Sequence, residues 1–221
     1  MTVGRGTQNY TCASAQSAPK LQGAVARLYD TSCLARRRPR TLDALPAKLL
    51  AFSPEDLGHS RDGHHFFNAA GTPIFDMSAF GGGVFAGALA ASVKGPPTAD
   101  YYTPSQAYSR RKRGNGDGRP KTLPAINWLR LTPVAGSTEG RFREGFRVVT
   151  AGGTAPESCK DQPAHFEVPY ATEYCAFLCC IPSEKLQTGT DYCFGGGRVL
   201  LIRGYVNQLS SLSFSLYNYF S

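Results

Sequence analysis

Glycine and proline interrupt this chain so often that no long helix can run through it. With 24 Gly and 15 Pro in 221 residues, the stretches between breakers are short, and many are rich in β-branched and aromatic residues. Glycine supplies turn conformations and proline withholds a backbone donor, so such punctuation favours short strands joined by turns. Thr7 to Thr11 and Gly23 to Tyr29 read as the first two strands, separated by small residues and Pro19. His64 to Phe67 and Pro73 to Met77 flank Asn68-Ala69-Ala70-Gly71 and read as a hairpin. Val84 to Val93 is compatible with strand or helix, and Ile126 to Thr132, Arg141 to Thr150 and Ala164 to Phe177 supply further strands. A bulge is expected at Gly145, where the alternation falters. Leu42, Leu45 and Leu49 recur at helical spacing after a Thr41 cap, with Pro46 limiting the helix to about two turns. The predicted fold is all-β: an antiparallel sandwich or barrel, one short helical segment and an irregular C-terminal tail. One domain is expected over residues 1–177, with the tail over 178–221.

The formal net charge of +8 invites a nucleic-acid reading, but its distribution argues against one. Arg36, Arg37, Arg38 and Arg40 carry +4, and the segment from Arg110 to Lys121 carries +5, leaving the rest of the chain at −1. The basicity belongs to two loops, and no nucleic-acid partner is expected. Arg110-Arg111-Lys112-Arg113, followed by a glycine-rich stretch, is a candidate processing site, although an uncleaved polar linker fits the same residues. The apolar run Val84 to Val93 falls short of the roughly 20 residues of a spanning helix, so no membrane span is expected. Asn9-Tyr10-Thr11 is an N-glycosylation sequon, with Asn9 the acceptor.

Gly4-Arg5-Gly6-Thr7-Gln8-Asn9-Tyr10-Thr11-Cys12 and Gly23 to Leu34 open a series of motifs that continues through Gly63-His64-His65-Phe66-Phe67, Gly71-Thr72-Pro73-Ile74-Phe75-Asp76, Ile126 to Leu131, Phe146 to Cys159 and Val168 to Tyr174. In order over residues 4 to 174, the series resembles a family of uncharacterised secreted proteins of filamentous fungi with bacterial relatives, some of whose fungal members carry a malate-dehydrogenase-like label. The resemblance implies a secreted domain of unknown function. Residues 1–11 contain no apolar signal core, so the resemblance also implies that a signal peptide is missing here. The tail after Phe177 departs from the family, as a retained intron or shifted final exon would make it. In an oxidising compartment Cys12, Cys33 and Cys159 would supply one disulfide, with Cys12 paired to either of the others.

Catalytic candidates are few. His64 and His65 alternate across a strand, so only one can face a given pocket, and either would need an acid such as Asp62 or Asp76 to orient its ring. A hydrogen-bonded structural histidine fits the same sequence. Glu144, Glu167 and Glu173 are the carboxylates of the strand-rich half, but Glu167 and Glu173 on one uninterrupted strand lie too far apart for paired acid catalysis. Gly81-x-Gly83-x-x-Ala86 satisfies a dinucleotide fingerprint in form only, because Lys94-Gly95-Pro96-Pro97 interrupts the unit it needs. No cofactor and no metal site are expected; Cys175, Cys179, Cys180 and Cys193 lack the spacing of a zinc site. Most of the aromatic residues, Trp128, Phe75 and Tyr170 among them, are expected in the core, and some could line a carbohydrate-binding face. The function these features favour is a nonenzymatic extracellular or cell-surface binding module, with a wall polysaccharide or surface partner as ligand. The alternatives are a hydrolase of a wall polymer and, behind it, the dehydrogenase of the family label.

Overall fold

The computed structural model describes residues 1–53, 56–58, 62–95, 124–139 and 142–178. Eight strands run in chain order: β1 (Thr2–Thr11), β2 (Lys20–Asp30), β3 (Gly63–Phe67), β4 (Pro73–Asp76), β5 (Val84–Val93), β6 (Trp128–Pro133), β7 (Phe142–Gly152) and β8 (His165–Leu178). Each pairs antiparallel with its sequence neighbour, and β1 pairs with β8 to close a barrel. Closure leaves neither β1 nor β8 as an open edge. The hairpin over residues 64–77 forms as read, and Val84 to Val93 is a strand.

The helical content differs from the single segment expected. Three short helices follow β2: α1 (Ser32–Arg37), α2 (Pro39–Asp43) and α3 (Leu45–Leu49), and a 3₁₀ turn covers Ser78–Phe80. Thr41 is not a cap but lies within α2. Pro39 and Pro46 each occupy a first-turn position, where a missing N–H costs nothing, so each proline starts a helix rather than shortening one. The leucine spacing is shared between two helices that pack on the outside of the barrel. With α1 they meet β1 through Val3, Ala35 and Leu42, and they meet β7 and β8 through Leu50, Ala151 and Ala171.

Inside, Gly4, Gly6, Ala24 and Ala26 lie on the inner face of β1 and β2, and β8, β4 and β5 project Tyr170, Tyr174, Phe75 and Phe85 into the same core. A Cβ on Gly4 would come within 2.6 Å of the Tyr174 ring, and one on Gly145 within 2.5 Å of the Phe85 ring. Gly145 is therefore a packing glycine, regularly paired with Leu131 and Ala176, and not the bulge. The register of β7 against β8 shifts instead between Phe142 and Glu144 and between Val148 and Ala151. At the second shift Val149 has φ of 48°, a conformation that a β-branched residue adopts only under strain.

A disulfide joins Cys12, after β1, to Cys159, in the connection from β7 to β8. Of the two partners open to Cys12 it is Cys159 that bonds. Cys33 is corrected to an exposed free thiol on α1, since α1 follows the opposite end of β2 from the one beside Cys12. No helix among the described residues is long and apolar enough to cross a membrane. The basic segment Arg110 to Arg113, the cysteines from Cys179 onward and the expected irregular tail lie outside the described residues.

Candidate functional site

The alternation of β3 separates the two histidines. His64 pairs with Arg27 and Asp76 on the outer wall and is exposed, whereas His65 pairs with Ala26 and Phe75 on the inner face and is 3% exposed. The outer pair brings His64 and Asp76 to opposite register positions, but the Asp76 carboxylate is committed elsewhere. It accepts the Ser78 N–H at 3.0 Å, and the Ser78 hydroxyl and N–H hold its pKa below the usual carboxylate range, with a smaller contribution from His64. Asp62 lies 3.5 Å from the Arg27 guanidinium. Neither acid is left to orient a histidine over a cleft.

His65 is a structural histidine. Its Nδ1–H donates to the Ile74 carbonyl at 2.8 Å, and its ring stacks on Phe75 with centroids 4.2 Å apart and planes inclined by 8°. Burial lowers its pKa to about 4, assisted by the positive Arg147 and opposed by the bond to Ile74. The imidazole is neutral at ordinary pH, as a residue enclosed by aromatic rings must be. The carboxylates of the strand-rich half are likewise dispersed. Glu144 forms an ion pair with Arg130, Glu167 is exposed, and Glu173 is 1% exposed on the outer face of β8 opposite Val3. Strand β8 runs through Pro169 without a break, so the bend that could have brought Glu167 and Glu173 together is absent.

The interior contains a polar row that the sequence did not reveal. Thr2 pairs with Tyr174, Tyr174 with Arg147 and Arg147 with Leu129. The Tyr174 and Tyr170 hydroxyls are 3.0 Å apart. Burial raises both phenols, Tyr170 well above the usual value, while Arg147 acts on each in the opposite direction and hydrogen-bonds Tyr174. Arg147 also donates from Nε and Nη2 to the Asn127 carbonyl at 3.1 and 2.9 Å. Its inward placement follows from the parity of β7, where Gly145 and Arg147 share one face and Phe146 and Val148 the other. The faltering alternation of that strand was the available signal, and an arginine in it reads first as a solvent-facing residue.

Above this row, at the barrel end where β1 starts and β4 ends, lies a pocket open to solvent whose enclosed volume is about 30 Å³. Phe75, Met77, Phe85, Leu131 and Tyr174 line it, with Met1 and Thr2 at its edge of β1. Apolar lining with a few polar groups is the usual character of a small-molecule site, and because the enclosed volume is far below the roughly 300–1,000 Å³ such sites occupy, a ligand would enter it only in part and otherwise lie in the open mouth. The outer wall offers little by comparison. Among the described residues its exposed large hydrophobic side chains are Leu21, Val25, Phe52, Phe66 and Leu89, only two of them aromatic, so no run of rings for a sugar chain is formed there. Gly81 ends the 3₁₀ turn in a left-handed conformation and Gly83 leads directly into β5, antiparallel to β4. The fingerprint thus feeds a strand, where a dinucleotide site requires a helix N-terminus. Among the described residues no three metal-ligating side chains cluster.

No curated protein and no solved structure matches the chain. One family model does, over residues 1–178, and it is described as a protein of unknown function, DUF3455.

Proposed function

Since the chain belongs to the DUF3455 family of proteins of unknown function, we propose on its own geometry that it is a nonenzymatic extracellular binding module that takes a small, mainly apolar ligand into the barrel mouth. The observation that carries this reading is the pocket lined by Phe75, Met77, Phe85, Leu131 and Tyr174. These rings face inward, which moves the expected binding surface from the outer wall, where a polysaccharide would lie, to the interior. The Cys12–Cys159 bond supports an oxidising compartment. Asn9 supports it too as the acceptor of the sequon, on the outer face of β1.

The test is thermal stabilisation of the full chain, expressed through an oxidising secretory route, by toluene-sized aromatics, wall polysaccharides and NAD(H). Saturable stabilisation by the aromatics alone is the expected result. Stabilisation by a polysaccharide or NAD(H) without any effect of the aromatics would overturn the reading.

A further inference from the structure

The pocket is not uniformly apolar. Thr2 lines it, is 3% exposed, and its Oγ1 is buried with no hydrogen-bond partner. A hydroxyl shut away from water without a partner costs free energy unless something else completes it. Its neighbour in register, Tyr174, also lines the pocket, and the Tyr174 hydroxyl is already paired with Tyr170 and Arg147, so the Thr2 hydroxyl is a donor on this side of the pocket still without an acceptor. The opposite side is formed by Phe75, Met77, Phe85 and Leu131, which offer only van der Waals contact. Rotation of Thr2 χ1 to another staggered well re-aims the hydroxyl.

Building on the mouth-binding reading, we infer that the ligand is a compact apolar molecule carrying a single acceptor oxygen, a carbonyl or its equivalent, which the Thr2 hydroxyl recognises at the edge of the polar row. A hydrocarbon of the same shape would enter the pocket but leave the hydroxyl unpaired. The chain contains two methionines, Met1 and Met77, and both line the pocket, so methionine methyl resonances report its occupancy directly.

The experiment titrates the full chain, carrying ¹³C-methyl methionine, with acetophenone and with its hydrocarbon isostere α-methylstyrene, following the Met77 methyl signal. Acetophenone is expected to bind roughly 3- to 10-fold more tightly, the ratio that one net hydrogen bond supplies. Thr2→Val should abolish that preference, and Thr2→Ser should retain it. Equal affinity of the two compounds for the unaltered chain would overturn the inference and leave the mouth-binding reading standing, as would a preference that survives in Thr2→Val. Absence of any Met77 shift with either compound would overturn both. The comparison on the unaltered chain decides the matter even if a variant fails to fold.

Discussion

A single step along β3 gives two identical side chains opposite chemistry. His64 is exposed, while His65 is enclosed by Phe75, Phe67 and Tyr174. The unfolded chain takes up a proton at His65 near pH 6.5, whereas the folded chain resists until about pH 4. Protonation between those values therefore favours unfolding, and the stability contributed by the neutral ring is lost as pH falls through that window, by roughly 3 kcal/mol in all. Chemical denaturation of the wild type and His65→Phe at pH 7 and pH 4.5 should show a smaller loss on acidification in the variant. The alternation that separates the histidines was legible in the sequence. Which of them faces inward was not, because that depends on the pairing of β3 with Ala26 and Phe75, residues distant in the chain. Arg147 was missed for the same reason: strand parity assigns it a face, but only closure of the barrel makes that face the interior.

At the scale of elements, the outer helices and the barrel wall are tied together by Arg5. Its Nε donates to the Leu49 and Phe52 carbonyls at 3.1 and 3.0 Å, and its Nη1 donates to the Gly6 carbonyl at 2.6 Å. The side chain points outward, as a charged strand residue should, but the end of α3 covers it. Arg5→Ala removes the donors at these carbonyls and should cost about 2–4 kcal/mol, with faster amide exchange concentrated in residues 32–53; exchange measured by mass spectrometry checks both the size and the place. In β7 the strain at Val149 makes a contrasting pair. Val149→Gly relieves about 1–2 kcal/mol of left-handed strain while losing some packing, so its net effect should be near zero. Val148→Gly, at a position 1% exposed, should cost about 3 kcal/mol. Urea unfolding of the two variants distinguishes them. Strand identity was readable here from composition, whereas the bulge was assigned to Gly145 because glycine is its commonest marker. Crowding by the Phe85 ring, a contact between strands far apart in sequence, is what requires glycine at that position.

The whole molecule has two unlike ends. At one, Cys12–Cys159 clasps the turn after β1 to the connection before β8; at the other lies the pocket. Cross-linking residues 147 apart restricts the unfolded chain strongly, so Cys12→Ser with Cys159→Ser should lower stability by about 2–5 kcal/mol. Because the bond lies at the far end, ligand affinity measured well below the melting temperature should be unchanged in the same variant, which calorimetry and the methyl titration together test. Composition and turn spacing pointed to an antiparallel β protein but left sandwich and barrel open, since the two differ in whether the first and last strands meet, and no local pattern encodes that meeting. The same meeting orders events during synthesis. Strand β1 emerges from the ribosome first and gains β2 at once, yet its other edge stays unpaired until β8 is made. For most of translation the nascent chain is an open sheet with an adhesive border, and the window in which a chaperone or a neighbouring nascent chain can add to that border closes only when Thr2 meets Tyr174.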